Sequence, residues 1–170
     1  MFKRLYPSID VNSIYDIDFV KFHDMGYRAV LFDIDNTLVN HGVPATEQVI
    51  DFFERLHNMG FKTCLISNNK EPRVASFAGQ VNSEYIYKAG KPSPKGYIRA
   101  MEICGTDKES TMFVGDQLFT DIWGANRAGI DSILVKPIHP KEEIQIVLKR
   151  KLEWFVLIFY RRYKKKHGKN

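Results

Sequence analysis

The stretch Arg28-Ala-Val-Leu-Phe-Asp-Ile-Asp35 is an apolar run of strand length that is closed by acidic residues. Such a run is typical of a strand buried on both faces of a parallel sheet. Outward from it, short apolar runs alternate with segments of helical spacing. Strands are predicted over 28–35, 62–67, 85–89, 111–115 and 132–136, and helices over 45–59, 71–79, 93–104 and 119–128. This alternation predicts an α/β fold with a doubly wound parallel sheet, whose ligands bind at the carboxyl ends of the strands.

The charge of the chain is unevenly distributed. Its 170 residues have a net charge of +5, yet residues 1–135 carry 14 Lys and Arg against 17 Asp and Glu, whereas residues 136–170 carry 11 against 3. The length and the apolar content of 44% are typical of one domain with a sizeable core. We therefore predict one domain over 1–140, in which 1–27 form an N-terminal extension, followed by a basic, aromatic helix and tail over 141–170.

Cysteine usage and the N-terminal residues indicate a cytoplasmic protein. Cys64 and Cys104 lie in separate apolar runs, which indicates neither a disulfide framework nor a zinc site. The basic pair Lys3-Arg4 is not followed by the apolar stretch of a signal peptide. We therefore expect the protein to stay inside the cell.

Polar residues follow several predicted strands, at the edge of the sheet where such folds bind ligands. They are Asp33 and Asp35 after the first strand, Ser67 and Asn68 after the second, Lys91 after the third, and Asp116 and Asp121 after the fourth. Carboxylates combined with a lysine and small hydroxyl and amide donors suit a hard cation such as Mg²⁺ and a phosphate group. The sequence therefore predicts a Mg²⁺ cofactor and a phosphorylated substrate.

These residues also form four motifs in the order that one family shows. Asp33-Ile-Asp35-Asn36-Thr37 resembles the DxDxT signature of haloacid dehalogenase (HAD) phosphatases, and Gly115-Asp116-Gln-Leu-Phe-Thr-Asp121 resembles their GDxxxTD motif. Ser67 and Lys91 resemble the second and third motifs. The short chain, the DxDNT form and the basic end resemble the YqeG-type family of HAD subfamily IIIA, whose mitochondrial relatives are phosphatidylglycerophosphate phosphatases. The resemblance implies a HAD-like Rossmannoid core, and the short spacings between the motifs predict that it has no cap domain.

The resemblance also implies a role for each motif residue. Asp33 would be the nucleophile that forms an aspartyl-phosphate, and Asp35 would be the general acid and then the general base. Mg²⁺ would be held by the side chains of Asp33 and Asp116 and by the backbone carbonyl of Asp35. The remaining roles would be phosphate binding by Ser67, Asn68 and Lys91, orientation of Lys91 or of a metal-bound water by Asp121, and bracing of the loop by Asn36 and Thr37. Lys88 is a rival to Lys91, but the order Lys-Pro-Ser-Pro over 91–94 favours Lys91.

The C-terminal segment predicts a surface helix with an apolar stripe. The stripe comprises Ile144, Leu148, Leu152, Phe155 and Phe159, with basic clusters before and after it. The apolar run Trp154–Tyr160 is too short to span a bilayer, which needs about 20 residues. We predict an interfacial helix on an anionic membrane, with a helix that packs its aromatics on the sheet as the alternative. Nucleic acid is not expected as a partner, because the aromatic residues are contiguous rather than interleaved with the basic ones.

The function predicted from these features is Mg²⁺-dependent hydrolysis of a phosphomonoester. By the resemblance, the substrate would be phosphatidylglycerophosphate, an anionic phospholipid, at the cytoplasmic face of the membrane. One alternative is a HAD phosphatase for soluble phosphomonoesters or phosphoproteins, with a structural tail. An alternative of another class is a receiver-like module that accepts a phosphoryl group for signalling, although the acceptor of such modules normally ends the third strand rather than the first.

Overall fold

The computed structural model describes residues 2–139 and 144–167, and for 144–149 and 167 it describes the backbone only. A single parallel sheet of six strands has the order β1-β6-β5-β2-β3-β4. The strands are β1 (Ile9–Val11), β2 (Ala29–Phe32), β3 (Lys62–Ile66), β4 (Glu84–Ile86), β5 (Thr111–Gly115) and β6 (Asp131–Val135). The α-helices are α1 (Phe19–Asp24), α2 (Glu47–Asn58), α3 (Glu71–Val81), α4 (Lys95–Cys104), α5 (Trp123–Ala128) and α6 (Ile144–His167). This architecture confirms the predicted doubly wound α/β fold.

Strand β2 lies inside the sheet, between β5 and β3, and both of its faces are covered. Val30 and Phe32 belong to the apolar cluster that includes residues of α1, α2 and α3, whereas Leu31 belongs to the cluster that includes residues of α4 and α5. Successive side chains of a strand point to opposite faces, so a strand covered on both sides needs an apolar residue at every position. The four residues of β2 are fully buried.

The order of the strands places a topological switch point beside β2. From β2 the chain continues to β3 and β4 on one side, and it then returns to β5 and β6 on the other side. Ligands of such sheets bind where the direction reverses, at the carboxyl ends of the two neighbouring strands. Here those strands are β2 and β5.

The prediction of five strands was wrong, because β1 adds a sixth. Its three residues carry a charge in the middle and give no apolar run, but they pair with β6, with Ile9 opposite Ile133. The segment 1–27 therefore contributes β1 and α1 to the domain. The predicted helix over 119–128 is a π-helical turn, Leu118–Ile122, followed by α5. All of 33–110 is described, and its helices and strands belong to the core without an inserted cap domain.

Helix α6 packs on the domain through one face and leaves an apolar face exposed. Glu153, Val156 and Tyr160 are buried, whereas Trp154 and Phe155 are 64% and 53% exposed. Two members of the predicted stripe, Leu152 and Phe159, are also exposed, while the side chains of Ile144 and Leu148 lie outside the described residues. None of the helices in the described ranges combines the length and the apolar content that crossing a membrane requires.

Candidate active site

Three carboxylates converge at the carboxyl ends of β2 and β5. Asp33, Asp116 and Asp121 can each offer one oxygen such that these oxygens lie within 4.8 Å of one another. All three residues are buried, at 7%, 2% and 1% exposed. Asp33 is still held by the sheet, since its N–H donates to the carbonyl of Val114 at 3.0 Å. The adjacency of β2 and β5 thus brings Asp33 close to Asp116 and Asp121, which follow it by 83 and 88 residues in sequence.

A tight turn after β2 returns Thr37 to the carboxylates. Asn36 has a left-handed backbone, with φ of +65°, and the N–H groups of Thr37 and Leu38 donate to the carbonyl of Ile34. As a result, the Oγ1 atom of Thr37 lies 3.3 Å from Asp33 Oδ2 and 3.1 Å from Asp116 Oδ1. Thr37 therefore links the two carboxylates, in addition to its predicted place in the loop.

Lys91 is the lysine that lies at the site. Its Nζ atom is 2.6 Å from Asp33 Oδ1 and 2.7 Å from Asp121 Oδ1, and the residue is 8% exposed. Lys88, by contrast, is exposed. Asn68 fixes the backbone of Lys91, because its Oδ1 accepts from the N–H of Lys91 at 2.8 Å and its Nδ2 donates to the carbonyl at 3.3 Å. The Asn68 amide nitrogen carries a second hydrogen, and Asn68 lines the cavity next to Asp33, so its predicted contact with a phosphate stays a prediction.

Asp121 is held by the loop after β5. Its Oδ2 atom accepts from the backbone N–H groups of Asp116 at 3.2 Å and Gln117 at 3.1 Å, while Oδ1 contacts Lys91. The hydroxyl of the buried Tyr97 donates to the carbonyl of Asp121 at 3.1 Å. Asp121 is therefore positioned to orient Lys91.

Asp35 lies apart from the three carboxylates but lines the same cavity as Asp33. Its carboxylate accepts from Asn69 Nδ2 at 2.6 Å, from Arg73 Nη2 at 2.9 Å and from the N–H of Gly42 at 2.9 Å. The cavity has a volume of about 190 Å³ and is also lined by Lys91 and Ser67. Both acids of the first motif therefore face one small polar cavity.

Ser67 follows β3 and opens onto this cavity. Its N–H donates to the carbonyl of Ile86 at 3.0 Å, which continues the pairing of β3 with β4. Its Oγ atom accepts from the N–H of Asn69 at 3.1 Å. The hydroxyl group can rotate about its C–O bond, so its hydrogen can donate to an anion in the cavity while Oγ accepts from Asn69.

The electrostatics of the site are dominated by buried like charges. Burial and the neighbouring acid Asp121 raise the pKa of Asp33 to about 6, although Lys91 lowers it. Burial, Asp121 and Asp33 raise the pKa of Asp116 to about 8, against the effect of Arg150. Burial alone would lower the pKa of Lys91, but the carboxylates of Asp121 and Asp33 outweigh it and raise the pKa. The lysine therefore stays charged while the acids compete for ionisation.

The donor set fits a hard divalent cation. Asp33 and Asp116 provide carboxylate oxygens, which Mg²⁺ prefers, and closely spaced carboxylates are stabilised by such an ion. The oxygens of Asp121 are held by Lys91 and by two backbone N–H groups, whereas Asp33 Oδ2 and Asp116 Oδ1 contact the hydroxyl of Thr37, which can rotate away. The residues suited to hold a cation by their side chains are thus Asp33 and Asp116, and the predicted contribution of the Asp35 carbonyl stays a prediction.

Three residues at the site were missed by the sequence analysis. Asn69 and Arg73 hold Asp35, and Arg150 on α6 forms an ion pair with Asp116. Asn69 stands beside the second motif, which could have drawn attention to it. Arg73 lies on an ordinary amphipathic helix and Arg150 in a basic run, so neither carries a signal in sequence that separates it from a solvated charge.

Comparison with known proteins finds relatives of this chain among hydrolases and phosphatases. A family model described as a haloacid dehalogenase-like hydrolase matches residues 44–129. The protein named "Probable phosphatase YqeG" from Bacillus subtilis is 35% identical over 159 residues, which cover 92% of each chain. The glyceraldehyde 3-phosphate phosphatase of Methanopyrus kandleri is 44% identical over 97 residues, covering 52% of this chain and 42% of its own.

Solved structures share the fold. An uncharacterized protein from Listeria monocytogenes serotype 4b superposes with a TM-score of 0.53 at 19% identity, over 69% of this chain and 84% of that one. The cobalt-bound deoxy-D-mannose-octulosonate 8-phosphate phosphatase of Haemophilus influenzae superposes with a TM-score of 0.52 at 12% identity, over 66% of this chain and 80% of that chain.

Proposed function

The chain belongs to the haloacid dehalogenase-like hydrolases and is a phosphatase of that family, and from this premise we propose that it is a Mg²⁺-dependent phosphomonoester hydrolase that acts through an aspartyl-phosphate on Asp33. The observation that carries the proposal is the convergence of three buried carboxylates at the ends of β2 and β5, two of which contact Lys91. Under this proposal Asp33 is the nucleophile, Asp33 and Asp116 hold the cation, and Lys91, whose Nζ atom is 2.6 Å from Asp33 Oδ1, binds the phosphate.

The proposed reaction has two displacements at phosphorus. An oxygen of Asp33 forms a bond to phosphorus while the bond to the leaving oxygen breaks, and Asp35 protonates that oxygen. Asp35 then takes a proton from a water molecule whose oxygen attacks phosphorus, and the bond to Asp33 breaks to release inorganic phosphate. The contacts of Asp35 with Asn69 and Arg73 hold its carboxylate at the cavity wall for both steps.

Lys91 and Ser67 supply the positive charge and hydrogen-bond donors for the transferred group. Charge spreads over the equatorial oxygens of the phosphoryl group during transfer, and fixed donors stabilise it. Lys91 contacts the nucleophile itself, so its charge also lies close to the position of the transferred group. A divalent cation held by Asp33 and Asp116 would screen the repulsion between the carboxylate and the phosphate.

The reaction is tested by turnover of p-nitrophenyl phosphate in the full chain. We expect multiple turnovers that require Mg²⁺, stop with a chelator, and are lost in Asp33→Asn. Asp51→Asn is the matched control, because Asp51 is exposed on α2 and undergoes the same chemical change. Stoichiometric phosphorylation of Asp33 without turnover would instead support the receiver-like signalling module.

For the substrate, we propose phosphatidylglycerophosphate at the surface of an anionic membrane. The resemblance of the motifs and the basic end to the YqeG-type family suggests this lipid, and the exposed face of α6 supports it. That face carries Leu152, Trp154, Phe155 and Phe159, and its basic residues are Lys151, Arg161, Arg162, Lys165 and Lys166. Aromatic side chains favour the headgroup region, and each nearby Lys or Arg adds about 1 kcal/mol on anionic lipid.

The lipid proposal is tested with vesicles made of equal parts of phosphatidylglycerol and phosphatidylcholine, into which phosphatidylglycerophosphate is mixed as the substrate. The double substitution Phe155→Ser with Phe159→Ser should abolish sedimentation with the vesicles and lower lipid turnover, while turnover of p-nitrophenyl phosphate is retained. Ile98→Ser on α4, which removes another exposed apolar side chain, is the control. Unchanged lipid turnover in the double variant, or faster hydrolysis of soluble phosphomonoesters than of the lipid, would favour the soluble-substrate alternative.

A further inference from the structure

The C-terminal helix reaches the carboxylates through Arg150. Its Nη1 atom donates to the backbone carbonyl of Asp116 at 2.6 Å, and its Nη2 atom forms an ion pair with Asp116 Oδ2. Helix α6 is itself anchored, since Val156 and Tyr160 are buried and the ring of Tyr160 lies 5.3 Å from that of Tyr6. The guanidinium group is therefore carried to the site by a packed helix.

A second residue of α6 fixes the direction of this guanidinium group. Glu153 is 5% exposed, and its Oε2 atom lies 3.1 Å from Nη1 of Arg150. Its Oε1 atom accepts from the backbone N–H of Leu118 at 2.8 Å. Leu118 begins the π-helical turn that carries Asp121. The helix therefore contacts Asp116 through Arg150, and through Glu153 it contacts the first residue of the turn that carries Asp121.

The contacts distinguish the two oxygens of Asp116. Arg150 binds Oδ2, whereas Oδ1 lies 3.1 Å from Thr37 Oγ1, which is in turn 3.3 Å from Asp33 Oδ2. Oδ1 is thus the oxygen of Asp116 that points towards Asp33. Because one guanidinium nitrogen binds Oδ2 and the other binds the backbone carbonyl of the same residue, the direction of Oδ1 is defined.

We propose that Arg150 is a positioning residue of the active site, which holds Oδ2 of Asp116 so that Oδ1 faces Asp33 and the two acids can share a divalent cation. The C-terminal helix thereby completes the cation site, although it lies outside the range 44–129 that the family model matches. This inference rests on the proposed function, because it takes Asp33 and Asp116 as the cation ligands.

The opposite arrangement would be a self-inhibitory contact, in which the positive charge of Arg150 competes with the cation for Asp116. The two arrangements differ in the sign of one measurable quantity. If Arg150 positions the ligand, its removal weakens binding of the cation; if it competes, its removal tightens binding. The use of Oδ2 and the backbone carbonyl, together with the restraint by Glu153, favours positioning.

The test is calorimetric titration of the full chain with Mn²⁺ alone, without substrate. Groups that orient a metal ligand typically contribute about 10- to 100-fold to affinity, so Arg150→Gln should raise the Kd for Mn²⁺ at least about 10-fold. Arg150→Lys should lie between that variant and the wild type, because a lysine keeps the charge but not the two-pronged geometry. Lys151→Gln is the matched control: it removes one charge from the adjacent, exposed position and should leave the Kd within about twofold.

Far-UV circular dichroism and thermal melting would show whether each variant is folded. If Arg150→Gln does not fold, the inference is decided by Arg150→Lys, whose Kd must still exceed that of the wild type. An unchanged or lower Kd in the folded Arg150 variants would overturn the inference while leaving the proposed function intact. Failure of the wild type itself to bind Mn²⁺ would refute the cation site, and with it this inference, on separate grounds.

Discussion

Substitution of Gly115 by alanine should disrupt the active site by filling space that Asp121 occupies. A Cβ atom on Gly115 would lie 2.6 Å from Asp121 Oδ2 and 2.7 Å from both Cβ and Cγ of that residue. Gly115 is the last residue of β5, and its backbone is outside the left-handed region, so the requirement for glycine is one of space alone. Since carbon atoms do not approach so closely, the Asp121 side chain would have to move.

The cost of this movement follows from the contacts of Asp121. Its carboxylate would lose the ion pair with Lys91 Nζ at 2.7 Å and the hydrogen bonds from two backbone N–H groups at 3.1 and 3.2 Å. Overpacking of a dense core costs about 1–3 kcal/mol in the free energy of unfolding. A displacement of about 1 Å in a group that positions a catalytic side chain lowers the rate about 10²-fold. We therefore expect both stability and turnover to fall.

The assay combines denaturant unfolding with the turnover of p-nitrophenyl phosphate at saturating Mg²⁺. Gly79→Ala serves as the control, because Gly79 lies within α3 and a Cβ atom there meets nothing within 4 Å. That control should gain about 0.5–1 kcal/mol from helix propensity and keep full activity. If Gly115→Ala retained the stability and the kcat of the wild type, the account of Asp121 as a tightly confined residue would be refuted.

Two further predictions concern protonation. Burial raises the pKa of Asp33 to about 6 and that of Asp116 to about 8, so the folded protein retains protons that the unfolded chain releases above about pH 4. Their contribution to the stability of the cation-free protein should therefore decline as the pH rises towards the folded pKa of each group. Asp116→Asn should flatten the resulting fall in the melting temperature of EDTA-treated protein between about pH 5 and 8. A melting temperature with the same pH dependence in both proteins would contradict this linkage. Asp35→Asn should lower kcat/KM by about 10²–10⁴ for glycerol 3-phosphate and by much less for p-nitrophenyl phosphate, whose leaving group needs little protonation. Equal losses with the two substrates would argue against Asp35 as the general acid.

The sequence predicted those parts of the fold that depend on continuous local patterns. An apolar run such as that of β2 or β5 can only be buried on both faces, and the residue after such a run must reach the carboxyl edge of the sheet. The positions of Asp33, Ser67 and Asp116 therefore followed from the sequence. Strand β1 did not, because its three residues pair with β6 only after the chain has returned from the far side of the sheet.

The partners of the acidic residues were less predictable, since they depend on contacts between distant elements. Arg73 reaches Asp35 across 38 residues and Arg150 reaches Asp116 across 34. Both arginines lie on helices where a charged residue is usually solvated. Only the packing of α3 and α6 against the sheet distinguishes them from their exposed neighbours.

Helix α6 shows why the apolar stripe of a helix does not by itself identify the face that packs. The stripe containing Leu152, Phe155 and Phe159 is exposed, whereas the inner face offers the carboxylate of Glu153 to the N–H of Leu118. The surface beneath α6 includes the end of a motif loop with backbone groups and a carboxylate that need polar partners, so a wholly apolar face could not satisfy it. The inner face of α6 thus combines the apolar Val156 and Tyr160 with the polar groups of Arg150 and Glu153, and under the proposed function the exposed apolar residues of the outer face meet the membrane. On this basis, the substitutions of Phe155 and Phe159 should act on lipid turnover alone, and the substitution of Arg150 should act on cation binding whichever substrate is used.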